Sequence, residues 1–158
     1  MMGLSRSTLA FWVYMRIALK GIALPSIESI VFCAARNNLG ESRKSDVINY
    51  AMLEISTGTD ILNRLIKKGF INQRIDPDDK RSKLLTLTST GTTALNKCYK
   101  KASMARELFL ADFTEDDKKL AIQILYPLQE KHSRLSVKSK GKTIEEIYAN
   151  YIASHRAR

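Results

Sequence analysis

The stretch Leu65–Thr88, LIKKGFINQRIDPDDKRSKLLTLT, decides the fold. Leu65 to Lys68 closes a helix, and Gly69 supplies the left-handed residue on which helices commonly stop. Phe70 to Ile75 alternates apolar and polar side chains, Asp76-Pro77-Asp78-Asp79 is turn chemistry, and Lys83 to Thr88 alternates again. A helix followed at once by a two-stranded hairpin with basic residues at its tip predicts a winged helix. Wings serve mainly to touch nucleic acid.

Upstream of this stretch, Ser42 is expected to open a helix whose apolar positions are Val47, Ile48 and Ala51. Met52 to Ile55 interrupts it before a further helix over Ser56–Lys68, so the two helices form a helix-turn-helix candidate. The usual turn glycine is absent, and Met52 stands in its place. Earlier still, Pro25 and Ser26 start a helix through Ile27, Ile30, Val31 and Ala34 that ends near Asn37 to Gly40. The first helix, Ser5–Ile22, carries a stripe of Trp12, Met15, Leu19 and Ile22 with Phe11, Tyr14 and Ile17 beside it. One surface helix needs only one apolar face, so burial on two sides is expected. Packing within the monomer would serve, and a dimer interface explains the excess better.

Downstream, Thr88 or Ser89 caps a long helix through Leu95, Cys98, Ala102, Ala105, Leu108 and Phe109. Thr114 with Asp117 caps another through Leu120, Ile124, Leu125 and Leu128, where Pro127 is expected to impose a kink. A basic linker, Lys138 to Lys142, leads to a Thr143–Glu146 capping box and a last helix with Ile144, Ile147, Tyr148, Tyr151 and Ile152 on one face. The fold class expected is mainly α with a small two-stranded β-wing. Residues 1–158 form a single chain unit, with a winged-helix region at 26–88, dimerisation helices at 5–22 and 89–135, and an extra C-terminal helix at 143–155.

Composition narrows the partners. With 44% hydrophobic and 27% charged residues, a chain of 158 residues can bury a core and is not expected to be disordered. Its net charge of +10 favours an anionic partner, such as nucleic acid, a membrane surface or an acidic protein. Cys33 and Cys98 lie far apart without a CxxC or a nearby histidine, which argues against zinc or a disulfide framework and fits a reducing cytoplasm. Thr8 to Met15 loosely imitates a signal peptide, but Arg16 and Lys20 interrupt it and no cleavage site follows. No apolar run reaches membrane-spanning length, so a cytoplasmic protein is expected, with no membrane partner. His132 and His155 sit in polar helical contexts with no acid, base and nucleophile about them, so no enzyme, metal or cofactor is expected. The acidic run Asp112, Glu115, Asp116 and Asp117 coincides with a helix start, where carboxylates serve the dipole.

On a wheel of about 100° per residue, Ile61, Leu62, Leu65 and Ile66 share one face of the Ser56–Lys68 helix with Gly58. The opposite face presents Ser56, Thr57, Asp60, Asn63, Arg64 and Lys67. A helix laid in a major groove needs that division, with short polar groups near base edges and cations near phosphates. At the hairpin, Arg74, Lys80, Arg81 and Lys83 cluster around the turn, and a guanidinium on a narrow loop can enter a minor groove. Asp79 is expected either to orient the Arg81 guanidinium or to close the turn by hydrogen bonding.

The segment resembles the MarR-type transcriptional regulators, whose pattern runs helix, L-x-x-x-G, strand, R, turn, D-x-R, then L-T-x-x-G. Leu65, Gly69, Arg74, Asp79, Arg81, Leu87, Thr88 and Gly91 stand at the matching places, specifically over Val47–Gly91 and more loosely from about residue 5 to residue 135. The resemblance implies a homodimer paired through its terminal helices, two winged helices reading a pseudo-palindromic double-stranded operator, and Arg81 in the minor groove. Many such regulators lose DNA affinity on binding a small, often aromatic, anion; Phe11, Trp12, Tyr14 and Phe32 would either line its pocket or, as aromatic residues on buried helices more often do, belong to the core. Two departures stand out. Gly58 takes a place usually filled by an aliphatic core residue, so the helix should start late or pack unusually close. Asp60 faces the groove, where it suits either a cytosine amine or the helix dipole, the dipole being preferred. The expected function is a dimeric DNA-binding transcription regulator, a repressor relieved by a ligand. The alternative is a winged-helix interaction or assembly module with a basic face.

Overall fold

The computed structural model describes residues 2–24 and 26–156. Pro25, expected to help start the second helix, lies outside them, as does the side chain of His155. The elements in order are α1 (Met2–Ala18), α2 (Ile27–Leu39), β1 (Ser42–Arg43), α3 (Lys44–Tyr50), α4 (Ile55–Lys67), β2 (Ile71–Ile75), β3 (Lys83–Leu87), α5 (Ser89–Phe109), α6 (Glu115–Lys138) and α7 (Ile144–Arg156). Two compact units result, residues 1–118 and residues 119–158.

In the first unit, Ser26 caps α2 by accepting the Ser29 N–H at 3.2 Å, and Thr88 caps α5 by accepting the Gly91 N–H at 2.9 Å. The core sits where α2, α3, α4, α5 and the sheet meet, around Phe32, Val47, Ile48, Ile61, Leu65, Ile71, Leu85 and Leu95. Cys33 and Cys98 are buried there as small apolar side chains, and burial, with Cys98 nearby, pushes the Cys33 thiol up to about 12. Gly91 lets α5 lie against the wing's base, because a Cβ there would overlap the Phe70 carbonyl oxygen.

α1 ends at Ala18 rather than Ile22, because Gly21 turns the chain with φ +81°. Leu19 and Ile22 still pack on the core from that turn. Phe11 stacks edge-on against Phe109 of α5, centroids 5.3 Å apart, while Leu9, Trp12, Val13, Tyr14 and Ile17 face outward. Burial on two sides is therefore not met within the chain. Phe32 is wholly buried in the core, which removes it from any aromatic pocket.

The sheet has three strands, not two, in the antiparallel order β1-β3-β2. Ser42, expected to open a helix, instead pairs with Leu85, and α3 begins two residues later. Asp46 then caps α3 by accepting the Arg43 N–H at 3.3 Å.

In the second unit, the α6 helix continues through Pro127. The Thr143–Glu146 box starts α7, with Glu146 accepting the Thr143 N–H at 2.9 Å. Tyr151 of α7 lies 5.8 Å from His132 of α6, and Lys131 Nζ stands 4.8 Å above the same tyrosine ring. Ile144 and Tyr148 of the α7 stripe are exposed in the single chain.

Candidate nucleic-acid interface

The two helices of the turn motif are joined without a glycine. Met52 adopts φ +53°, alone among the described non-glycine residues in that region. Its N–H donates to Asn49 at 3.0 Å and the Leu53 N–H donates to Ile48 at 3.0 Å. This is the left-handed helix stop that Gly69 makes after α4, where the Gly69 and Phe70 N–H groups donate to Ile66 and Leu65, both at 2.9 Å. α4 then crosses α3 closely: a Cβ on Gly58 would stand 2.5 Å from Ile48 Cγ1. The close packing expected at Gly58 is present, and the late start is not, since α4 begins at Ile55.

Burying Gly58, Ile61, Leu62 and Leu65 turns Ser56, Thr57, Asp60, Asn63, Arg64 and Lys67 outward, and all six are exposed. Arg64 also lies near Glu28 at the start of α2. The backbone N–H of Glu28 and the Ser26 hydroxyl hold that carboxyl below the usual range, and Arg64 adds a smaller attraction.

A cleft of about 420 Å³ runs between this helix and the wing, lined by Asn63 of α4, Lys44 and Ser45 of α3, and Gln73, Arg81 and Lys83 of the wing. Lys80 is exposed at the same wing tip. Arg74 is not part of the cleft. The register pairs Gln73 with Leu85 and Ile75 with Lys83, whereas Arg74 pairs with Leu84. Side chains alternate between faces, so Arg74 points away from Gln73 and Lys83, and it pairs with Glu41.

Asp79 closes the turn and does not orient the Arg81 guanidinium. Its carboxylate accepts the Arg81 backbone N–H at 3.1 Å and the Ser82 hydroxyl at 2.7 Å. The Ser82 hydroxyl first, and then that N–H, keep it below the usual carboxylate range. Asp76 shapes the other side of the loop by accepting the Asp78 N–H at 3.0 Å.

Two arginines whose role has no local signal in the sequence fix the wing. Arg43, at the α3 N-cap, donates to Asp76 from Nε at 3.0 Å and Nη2 at 2.9 Å, with Asp79 at 3.9 Å. The Asp78 N–H and then Arg43 hold Asp76 below the usual carboxylate range. Arg36, largely buried in α2, donates to the Leu85 carbonyl in β3 and to the Gly40 carbonyl. Each joins positions more than thirty residues apart, and no local signal marks such pairs.

This geometry matches known proteins. The model of the MarR family matches residues 38–83. Over those residues the chain is similar to the MarR family. The uncharacterized HTH-type transcriptional regulator YwoH of Bacillus subtilis is 30% identical over 90 residues, 57% of this chain and 64% of that protein's length. Solved structures agree in fold. A probable transcriptional regulator from Pseudomonas aeruginosa superposes with TM-score 0.71 at 17% identity, covering 80% of this chain and 94% of that one. BpsR of Bordetella bronchiseptica, whose DNA binding is regulated by 6-hydroxynicotinic acid, superposes with TM-score 0.68 at 18% identity, covering 82% and 95%.

A second cavity of about 460 Å³ lies within the first unit, lined by Ile22, Phe70, Ala94 and Lys97 among others. Neither Phe11, Trp12, Tyr14 nor Phe32 lines it. Among the described residues no cluster of His, Cys, Asp and Glu side chains is arranged to hold a metal; of the acidic run, Asp117 caps α6 by accepting from the Thr114 hydroxyl at 2.6 Å, and Glu115 pairs with Lys118. No described helix is long and apolar enough to cross a membrane.

Proposed function

We propose that this chain is a sequence-specific DNA-binding transcription regulator that acts as a homodimeric repressor in the cytoplasm. The observation that carries the reading is the cleft in which Asn63 of α4 meets Arg81 and Lys83 of the wing. One exposed surface thereby presents short polar groups for base edges and cations for phosphates, in a chain of net charge +10. Ser56, Thr57, Asp60 and Asn63 enter the major groove, Arg64 and Lys67 meet its phosphate walls, and Lys80, Arg81 and Lys83 reach the adjacent minor groove. Arg74, turned away and paired with Glu41, supports the wing.

The dimer is supported by apolar side chains left exposed on α1, α5 and α6, among them Trp12, Ile17, Leu108, Leu120, Ile124 and Leu128. Two copies address a pseudo-palindrome with half-sites about one helical turn apart. An effector fits the same scheme. The cavity beside Lys97 has apolar walls for an aromatic ring and an ammonium for its carboxylate, and BpsR supplies the precedent.

Selection of bound duplexes from a random pool, followed by anisotropy titration of the enriched site, tests the reading. Arg81→Ala should weaken binding at least tenfold with fold and dimer intact. Enrichment of no motif would instead favour an assembly module with a basic face.

A further inference from the structure

Asp60 is out of place on a surface meant for a polyanion. It is the sixth residue of α4 and lies at the centre of the exposed stripe, about 40° from Ser56 and Arg64 and about 20° from Lys67. Its carboxylate makes no hydrogen bond or ion pair among the described residues. Arg64 stands one turn away, yet the two do not pair.

The helix dipole does not explain the residue. Dipole stabilisation fades beyond the first turn, and the first turn of α4 holds no acidic residue. Nor does solubility require it in a chain of net charge +10. Against DNA, a free carboxylate in that stripe is repelled by every phosphate, whatever the sequence. It is useful only where a base edge brings a donor to it. Two exocyclic amines offer donors in the major groove. Adenine N6 lies beside the N7 acceptor, which opposes a carboxylate, whereas cytosine N4 has no acceptor on its own ring edge.

We propose that Asp60 is a specificity determinant, accepting a hydrogen bond from the N4 amine of one cytosine in the operator half-site. The assignment rests on the DNA-binding reading and adds to it a base that the operator must contain. It also gives the repulsion a use, since sites lacking that cytosine meet an unsatisfied anion.

Binding-site selection with the full chain and with Asp60→Asn tests it. The wild type should enrich a half-site with one C position preferred about tenfold or more. Asp60→Asn should lose that preference or transfer it to A, because a carboxamide pairs with adenine N6 and N7. Other positions of the motif should stay unchanged. Tighter binding of Asp60→Asn to all sequences by one common factor, with the motif intact, would overturn the assignment and leave the DNA-binding reading standing. A wild-type chain that enriches no motif would overturn both.

Discussion

Gly58→Ala separates two forces that act in opposite directions at the α3–α4 crossing. In an open helix the change would stabilise by about 1 kcal/mol, because alanine is the better helix former. Here the new methyl would stand 2.5, 2.9 and 3.0 Å from Cγ1, Cδ1 and Cγ2 of Ile48. Ile48 is only 2% exposed and β-branched, so it has little room and few rotamers to escape into. Overpacking of this kind costs about 1–3 kcal/mol, which leaves a net destabilisation of about 1 kcal/mol and a melting temperature lower by roughly 3–4 °C. Ile48→Ala removes all three opposing carbons and alone costs about 2–5 kcal/mol. In the double variant the methyl occupies the vacated space and the overpacking cost disappears, so the two changes should fall short of additive by about 2 kcal/mol. Urea denaturation of the four proteins measures this. A Gly58→Ala protein more stable than wild type by about 1 kcal/mol, the bare helix-propensity gain, would refute the close crossing.

Two further outcomes follow from the titratable groups. Both cysteines are fully buried, and burial raises both thiols, Cys33 to about 12, so a thiol reagent at about pH 8 should label neither until the core opens. Rapid labelling of folded protein would contradict the packing of α2 on α5. Asp76 and Asp79 are held below their ordinary value of 3.8, so what they contribute is fully present above it and lost as pH falls through the lower folded values. Amide exchange at Asp78 and Arg81 should therefore quicken below about pH 4, ahead of exchange in α5, and Arg43→Met should produce the same loosening at neutral pH. Unchanged wing exchange in that variant would remove Arg43 from the support of the wing.

Local chemistry made much of the fold legible. Gly69, Thr88, the Thr114–Asp117 and Thr143–Glu146 boxes and the Asp-Pro turn each act within a few residues, and each does in the structure what its residue type favours. Met52 shows the limit of that reasoning. The turn required a positive φ, and the backbone takes it with a residue that gives no sign of doing so. β1 is two residues long, too short for any alternation to register. Arg36 and Arg43 act across the chain on the wing, so their roles depend on a topology that is not written locally. Arg74 shows what register adds: a shift of one position along the strand selects the face, and the pairing turns Arg74 away from the side that carries Lys83. The same register turns Gln73 into the cleft, a placement that its residue type does not signal.

The strand order has a bearing on solubility. With β3 in the middle, one of its edges is taken by β2 and part of the other by β1, and the outer edge of β2 is left unpaired among the described residues. An open edge invites another chain to add a strand, which is how folded proteins begin to aggregate. β2 is only five residues long, and Asn72, Gln73 and Arg74 fill its exposed middle. A second copy approaching that edge would bring its own Lys80, Arg81 and Lys83 against an identical set of charges. The cations suited to a nucleic acid thus also keep wings from different molecules apart.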